Sequence, residues 1–180
     1  MIARDGGVTS FNFEFTEWSH VISPLKKGEG EKEKWFLGNS THVVDLAFYL
    51  GGSPKDLSSY TSGGLDWHPS ASIFCGAGIS NLGALFSYTA NWESAGRWGV
   101  EILTKDHKLI LRPLEKLRIQ KRGSITANFV EDINYSLDDK FKPGLYIQTE
   151  KFLKNKFREM CSIREQAEAV KTYNRMANYK

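Results

Sequence analysis

The stretch from 54 to 125 constrains the fold most. It reads as short strand-like segments, a weak one at 55–62 and others at 71–77, 82–92, 97–104, 108–112 and 116–121, several with apolar residues on alternate positions. Turn chemistry separates them: Ser80-Asn81, Ser94-Ala95-Gly96, Lys105-Asp106, Arg112-Pro113 and Gly123. Side chains on a strand alternate between its two faces, so this pattern specifies strands with one covered face. Connections this short join antiparallel neighbours, because a parallel crossover needs a dozen or more residues.

What flanks the stretch completes a layer. Ahead of it, Phe11, Phe13 and Phe15 alternate with Asn12, Glu14 and Thr16, which predicts a strand within 8–22. A charged, glycine-punctuated loop follows through Lys34, and then a helix over 40–50. Asn39 or Ser40 is placed to cap that helix, and Gly51-Gly52 and Pro54 end it. Residues 125–140 have no clear period. Leu145, Thr149, Phe152, Leu153 and Phe157 then recur at helical spacing, and Ser162-Ile163-Arg164-Glu165 opens a last helix with a capping-box pattern. The expectation is a single α+β domain over 1–180: an open, mostly antiparallel β-sheet with helices on one face.

With 180 residues and 41% apolar side chains the chain can bury a real core. The net charge of +3 gives no drive toward nucleic acid. The eight Lys and Arg at 151–180, against three Glu, read as a solvated helix face; nucleic-acid binding through them would be strongly salt-dependent. Cys75 and Cys161 have no metal-site spacing and read as buried thiols in a reducing compartment. No apolar run suits a membrane span and the opening residues lack a signal-peptide core, so the expected location is cytoplasmic, with no membrane and no nucleic-acid partner.

Among the four histidines, His42 stands out. In the first turn of the 40–50 helix the dipole disfavours a ring proton, leaving a neutral imidazole able to accept one. Asp45 and Tyr49 share its helical stripe, and a His–Asp pair can fix the ring's tautomer. Spacing leaves two readings, a structural histidine and an acid–base group. Trp35 is either a core aromatic or a cleft wall. His68, in Asp66-Trp67-His68-Pro69, is either a surface turn or a site residue. Arg97 is either a surface ion-pair member or a bidentate holder of an anionic group. His20 is placed to end the first strand, and His107 reads as a solvent-facing turn residue. Gly76-Ala77-Gly78-Ile79-Ser80-Asn81 starts like a dinucleotide fingerprint, but Asn81 replaces the third Gly and no helix follows, so a turn between strands is expected.

The residues Gly38-Asn39-Ser40-Thr41-His42-Val43-Val44-Asp45 through Gly52 resemble the Asp-x-Gly-x-His-x-x-Asp helix of Gfo/Idh/MocA oxidoreductases. The segment Gly7–Ile22 resembles the first strand after that family's Rossmann domain, and Gly83–Tyr88 with Arg97–Ile102 its central strands. The resemblance implies a C-terminal sheet domain like those of dihydrodipicolinate reductase and glyceraldehyde-phosphate dehydrogenase. It also implies an N-terminal NAD- or NADP-binding domain outside this chain, so that the chain alone binds no cofactor and is inactive. It implies a carbohydrate-like substrate (a sugar, inositol or nucleotide sugar) and a homo-oligomer, dimer or tetramer, through the open sheet face. On the same ground His42 is the acid or base acting on the substrate hydroxyl, with Trp35, Asn39, Asp45, His68 and Arg97 around the substrate. Gly38 stands where the family has Asp, and Glu31-Lys32-Glu33-Lys34 is no substitute for the family's Glu-Lys-Pro. The competing expectation is a stand-alone binding or oligomerisation module without catalysis.

Overall fold

A computed structural model describes residues 1–179. Eight strands form a single sheet: β1 Ser10–Glu14, β2 Pro54–Ser62, β3 Ile73–Ser80, β4 Leu85–Asn91, β5 Gly99–Leu103, β6 His107–Leu111, β7 Leu117–Lys121 and β8 Ala127–Phe129, in the spatial order β2-β3-β4-β1-β5-β6-β7-β8. Every pairing is antiparallel except β1 with β4. The helices are α1 Ser19–Ile22, α2 Thr41–Gly51, α3 Ser136–Lys140, α4 Leu145–Leu153 and α5 Ile163–Ala177. This is the expected α+β architecture.

Several boundaries differ from the expectation, for identifiable reasons. The first strand stops at Glu14, and α1 begins at Ser19, because Trp18 tucks its indole N–H onto the Gly96 carbonyl and turns the chain. β4 and β5 are not neighbours: β1 inserts between them, pairing Phe11 with Phe86 on one side and Ile102 on the other. The β4–β5 connection therefore has to pass the end of β1. It does so at Gly96, where an added Cβ would overlap the Glu14 carboxylate and crowd Thr16. Residues 76–80 belong to β3 rather than to a turn. The irregular 125–140 stretch contains β8 and α3, both too short to carry a period.

The covered face of the sheet is aromatic. Phe11 and Phe13 on β1 stack on Phe86 and Tyr88 of β4, Phe15 just past β1 lies tilted against Tyr88, and Phe48 of α2 meets Phe11, Phe13 and Phe86 edge-on. α2 lies over β1 and β5, while α5 lies over β2 and β3. Gly76 and Gly78 are set by this packing. A Cβ on either would overlap the β2 backbone, and the rings of Tyr88 and Phe86 fill the remaining space. Close approach of backbone and rings thus accounts for both glycines.

α5 is capped at its start and tied to the fold at its end. Ser162 and Glu165 form the expected capping box. At the far end, the Phe36 N–H donates to the Tyr179 hydroxyl at 3.3 Å. The Tyr179 O–H donates in turn to His68 Nε2 at 2.6 Å, and His68 Nδ1–H donates to the Ala71 carbonyl at 2.7 Å. A carbonyl only accepts, so this chain of bonds fixes His68 as the neutral Nδ1–H tautomer.

Candidate functional site

A side-chain cluster gathers where the end of β1, the entry to α2 and the start of β5 meet. Its centre is Glu17, which sequence reading missed. The carboxylate is 1% exposed. It accepts from Asn39 Nδ2 at 3.0 Å and from Ser40 Oγ at 2.9 Å, and it pairs with Arg97 Nη1 at 3.4 Å. Burial pushes its pKa above the ordinary carboxylate value, and Ser40, Arg97, Asn39 and Trp98 pull against that rise. One signal was present in the sequence: 17 continues the inward-facing series 11, 13, 15, so a carboxylate occupies an apolar slot.

The entry to α2 explains why Asn39 and Ser40 face Glu17. Residues Phe36–Ser40 form a π-helical turn running directly into α2, and neither side chain caps the helix. The expected N-cap is thus corrected. The wide turn carries an extra residue, the kind of distortion that often marks functional positions in helices, and both side chains go to the buried carboxylate instead. A second correction follows. The preceding turn supplies acceptors for the Thr41 N–H, so His42 does not sit at a free helix N-terminus and the dipole argument for its neutral ring fails.

His42, Asp45 and Tyr49 do share one exposed stripe of α2. The His42 ring lies 6.3 Å from the Trp98 ring. Arg97 is sandwiched between indoles, its guanidinium 4.8 Å from the Trp18 ring and 4.7 Å from the Trp98 ring, with its side chain 46% exposed. Arg97 is thus an ion-pair member, as one of its two expected readings has it, but its partner is buried; among the described residues only its Nη1 bonds to a side chain. The arrangement offers an imidazole for proton transfer beside an oriented guanidinium and an indole wall.

The remaining expected site residues lie elsewhere. Asp45 accepts the Tyr173 hydroxyl, joining α2 to α5, and does not orient His42; burial, and then this bond, push Tyr173 far above the ordinary tyrosine range. Trp35 packs edge-on against Trp67 at 6.2 Å, with Lys27 over its ring, and walls no cleft beside His42. His68 is fully buried and cannot meet a substrate; what reads as a surface turn is folded beneath the C-terminal end of the chain. His107 is not solvent-facing either: its Nδ1 lies 2.7 Å from the buried Asp5 carboxylate, whose pKa is held below its ordinary value mainly by this contact. His20 is exposed on α1. Cys75 and Cys161 are both exposed, contrary to expectation.

Among the described residues no group of His, Cys, Asp and Glu is placed to hold a metal ion. The Gly76–Asn81 stretch does not form a dinucleotide-binding turn, since Gly76 and Gly78 lie mid-strand against rings and backbone. No helix of the described residues is long and apolar enough to cross a membrane.

This fold is that of the C-terminal sheet domain of Gfo/Idh/MocA-type dehydrogenases. UDP-N-acetylglucosamine 3-dehydrogenase from Acidithiobacillus ferrooxidans superposes with a TM-score of 0.65 at 16% identity, over 98% of this chain and 56% of that one. A dehydrogenase (MviM) from Clostridium difficile gives a TM-score of 0.68 at 15% identity, over 96% of this chain and 55% of that one. An NAD-binding oxidoreductase from Klebsiella pneumoniae gives 0.52 at 13% identity, over 72% and 41%. The chain therefore spans little more than half the length of the dehydrogenases whose fold it shares. No family model matches the sequence, and no curated protein matches it.

Proposed function

We propose that this chain is the substrate-side domain of a Gfo/Idh/MocA-family dehydrogenase acting on a sugar-type substrate, with NAD or NADP held by a separate Rossmann domain. The observation that carries the reading is the exposed imidazole of His42, raised on α2 beside Trp98 and the anchored Arg97. The fold neighbours support it: one is a nucleotide-sugar dehydrogenase, another an NAD-binding oxidoreductase.

The chemistry derived for this chain is proton handling and substrate placement. His42 takes the proton from a substrate hydroxyl as its carbon is oxidised, or returns it in reduction. Arg97 and Trp98 fix the substrate beside that ring, and Asn39, through Glu17, holds the turn that carries it. The open sheet face supplies a homo-oligomer interface. Tyr60, Ile73, Cys75, Ala77, Ile79 and Leu85 stand exposed across β2, β3 and β4 on the side opposite the aromatic core, as a shared apolar surface suited to a symmetric partner. The two exposed free thiols suit a reducing, cytoplasmic setting.

The test is turnover by the protein joined to its dinucleotide-binding domain. His42→Ala is expected to lower kcat/KM by roughly 100- to 10,000-fold, the usual contribution of a general acid or base. Undiminished turnover overturns the assignment. One observation favours a second reading, a non-catalytic binding module: Asp45 is committed to Tyr173, which leaves His42 without an orienting carboxylate. That reading predicts sugar binding with no turnover by any cofactor-complete form.

A further inference from the structure

Glu17 divides its two oxygens between two neighbours. Oε1 accepts from Asn39 Nδ2 at 3.0 Å and from Ser40 Oγ at 2.9 Å, on the turn that runs into α2 just ahead of His42. Oε2 accepts from Arg97 Nη1 at 3.4 Å. Both oxygens act as acceptors, which is what an ionised carboxylate provides. One buried group therefore joins the turn before the imidazole to the guanidinium.

Folding alone does not call for this bridge. Position 17 continues the inward series Phe11, Phe13 and Phe15, where an apolar side chain would pack without a desolvated charge. Asn39 and Ser40 are residue types that cap helices, and here neither does so. α2 does not depend on Glu17 to stay on the sheet, because Val43, Val44, Ala47 and Phe48 bury its inner side over β1 and β5. Local rules broken together in this way mark functional positions. What the carboxylate adds is placement. The Arg97 backbone N–H is already tied to Glu14 Oε1 at 3.1 Å. Its guanidinium lies over the Trp18 and Trp98 rings, and a ring face attracts a cation without fixing where each nitrogen points. The bond to Glu17 fixes one of them.

We infer that Glu17 is a positioning residue: with one oxygen it holds the turn ahead of His42, with the other it holds Arg97, and so it sets the spacing between the proton-handling and substrate-holding groups. The kinetic part rests on the dehydrogenase reading of His42 and Arg97; the bridge itself does not. Two substitutions separate its halves. Glu17→Gln keeps one acceptor for the turn but leaves an uncharged amide beside the guanidinium, so Arg97 loses its charge partner. Ser40→Ala removes a donor on the turn side and leaves the Glu17–Arg97 pair in place.

The experiment measures kcat and KM for the protein joined to its dinucleotide-binding domain, together with amide hydrogen exchange over residues 36–42 and NMR of the Arg97 guanidinium protons. Glu17→Gln is expected to raise KM by about tenfold, with kcat within about threefold of native, and to speed the exchange of the guanidinium protons. Ser40→Ala is expected to show the opposite split: kcat falls by about tenfold, KM holds, and the amides of the turn exchange faster. Glu17→Ala should combine both losses; if it fails to fold, the other two variants decide. A side chain that only stabilises the fold would lower the unfolding midpoint in each variant and leave kcat and KM of the folded protein at native values, and that result overturns the proposal. The same kinetic change in Glu17→Gln and Ser40→Ala also overturns it, because one carboxylate would then not serve two separate groups. A native joined protein without turnover defeats the dehydrogenase reading instead. The bridge is then upheld by a loss confined to Arg97 in Glu17→Gln and to the turn in Ser40→Ala, and overturned by any other pattern.

Discussion

The middle of the sheet and its β8 edge are built differently. Around β1 and β4 the apolar side chains find partners within the chain: Phe11, Phe13, Phe15, Phe74 and Tyr88 are at most 2% exposed beneath α2 and α5. Beyond β7 the chain carries as many large apolar residues and buries none of them in β8, α3 or α4. Phe141, Leu145, Tyr146, Ile147, Phe152 and Leu153 are each more than 40% exposed. Both regions carry large apolar side chains, so the difference is topological. The middle has strands paired on both sides and helices laid across them. The edge beyond β7 runs out into short helices that touch mainly one another. Stability resides in the middle.

The largest effect that would break this comparison is a core deletion. Phe15→Ala or Phe74→Ala is expected to cost about 3–5 kcal/mol in denaturant unfolding, the scale for emptying a buried aromatic site. Phe152→Ala in α4, on the same measurement, is expected to stay within about 0.5 kcal/mol. Equal losses would show that the region beyond β7 is part of the cooperative core. Next comes Gly78→Ala. Its new methyl would overlap the Asp56 carbonyl and lie 2.7 Å from the Phe86 ring, and overpacking of that kind costs about 1–3 kcal/mol. Removing the α5 cap with Ser162→Ala should cost about 1 kcal/mol. A smaller loss would mean that the exposed first turn of α5 frays without consequence.

The smallest effect is a pH dependence. Burial lowers the His68 pKa from its ordinary 6.5. The unfolded chain therefore binds that proton at a higher pH than the folded one. Stability from this group is fully present above about pH 6.5 and is lost as pH falls from there toward the folded value. Protonation would turn Nε2 into a donor facing the Tyr179 hydroxyl, breaking the present direction of bonding to the end of the chain. Unfolding midpoints across this window should fall for the native sequence and less steeply for His68→Gln.

What could be read from sequence was what is local. Period-two alternation located the strands of the central stretch to within a few residues, and Ser162 with Glu165 announced its capping box, because both signals lie within a few positions of one another. The insertion of β1 between β4 and β5 left no local mark, since pairing partners such as Phe11 and Ile102 are far apart in the chain. At the site, the stripe of His42, Asp45 and Tyr49 followed from helical geometry. The capping role given to Asn39 and Ser40 failed because Glu17, distant in sequence, draws both side chains into a π turn. His68 was misplaced for a similar reason: a turn-like tetrapeptide says nothing of the Tyr179 hydroxyl that buries it.

The most direct measurement is the pH profile of kcat/KM for the protein joined to its dinucleotide-binding domain, with native His42 and with His42→Asn. Catalysis by this imidazole predicts an ionisation limb in the native profile that disappears, with a loss of roughly 100-fold or more, in the variant. An unchanged limb and rate in His42→Asn would contradict it.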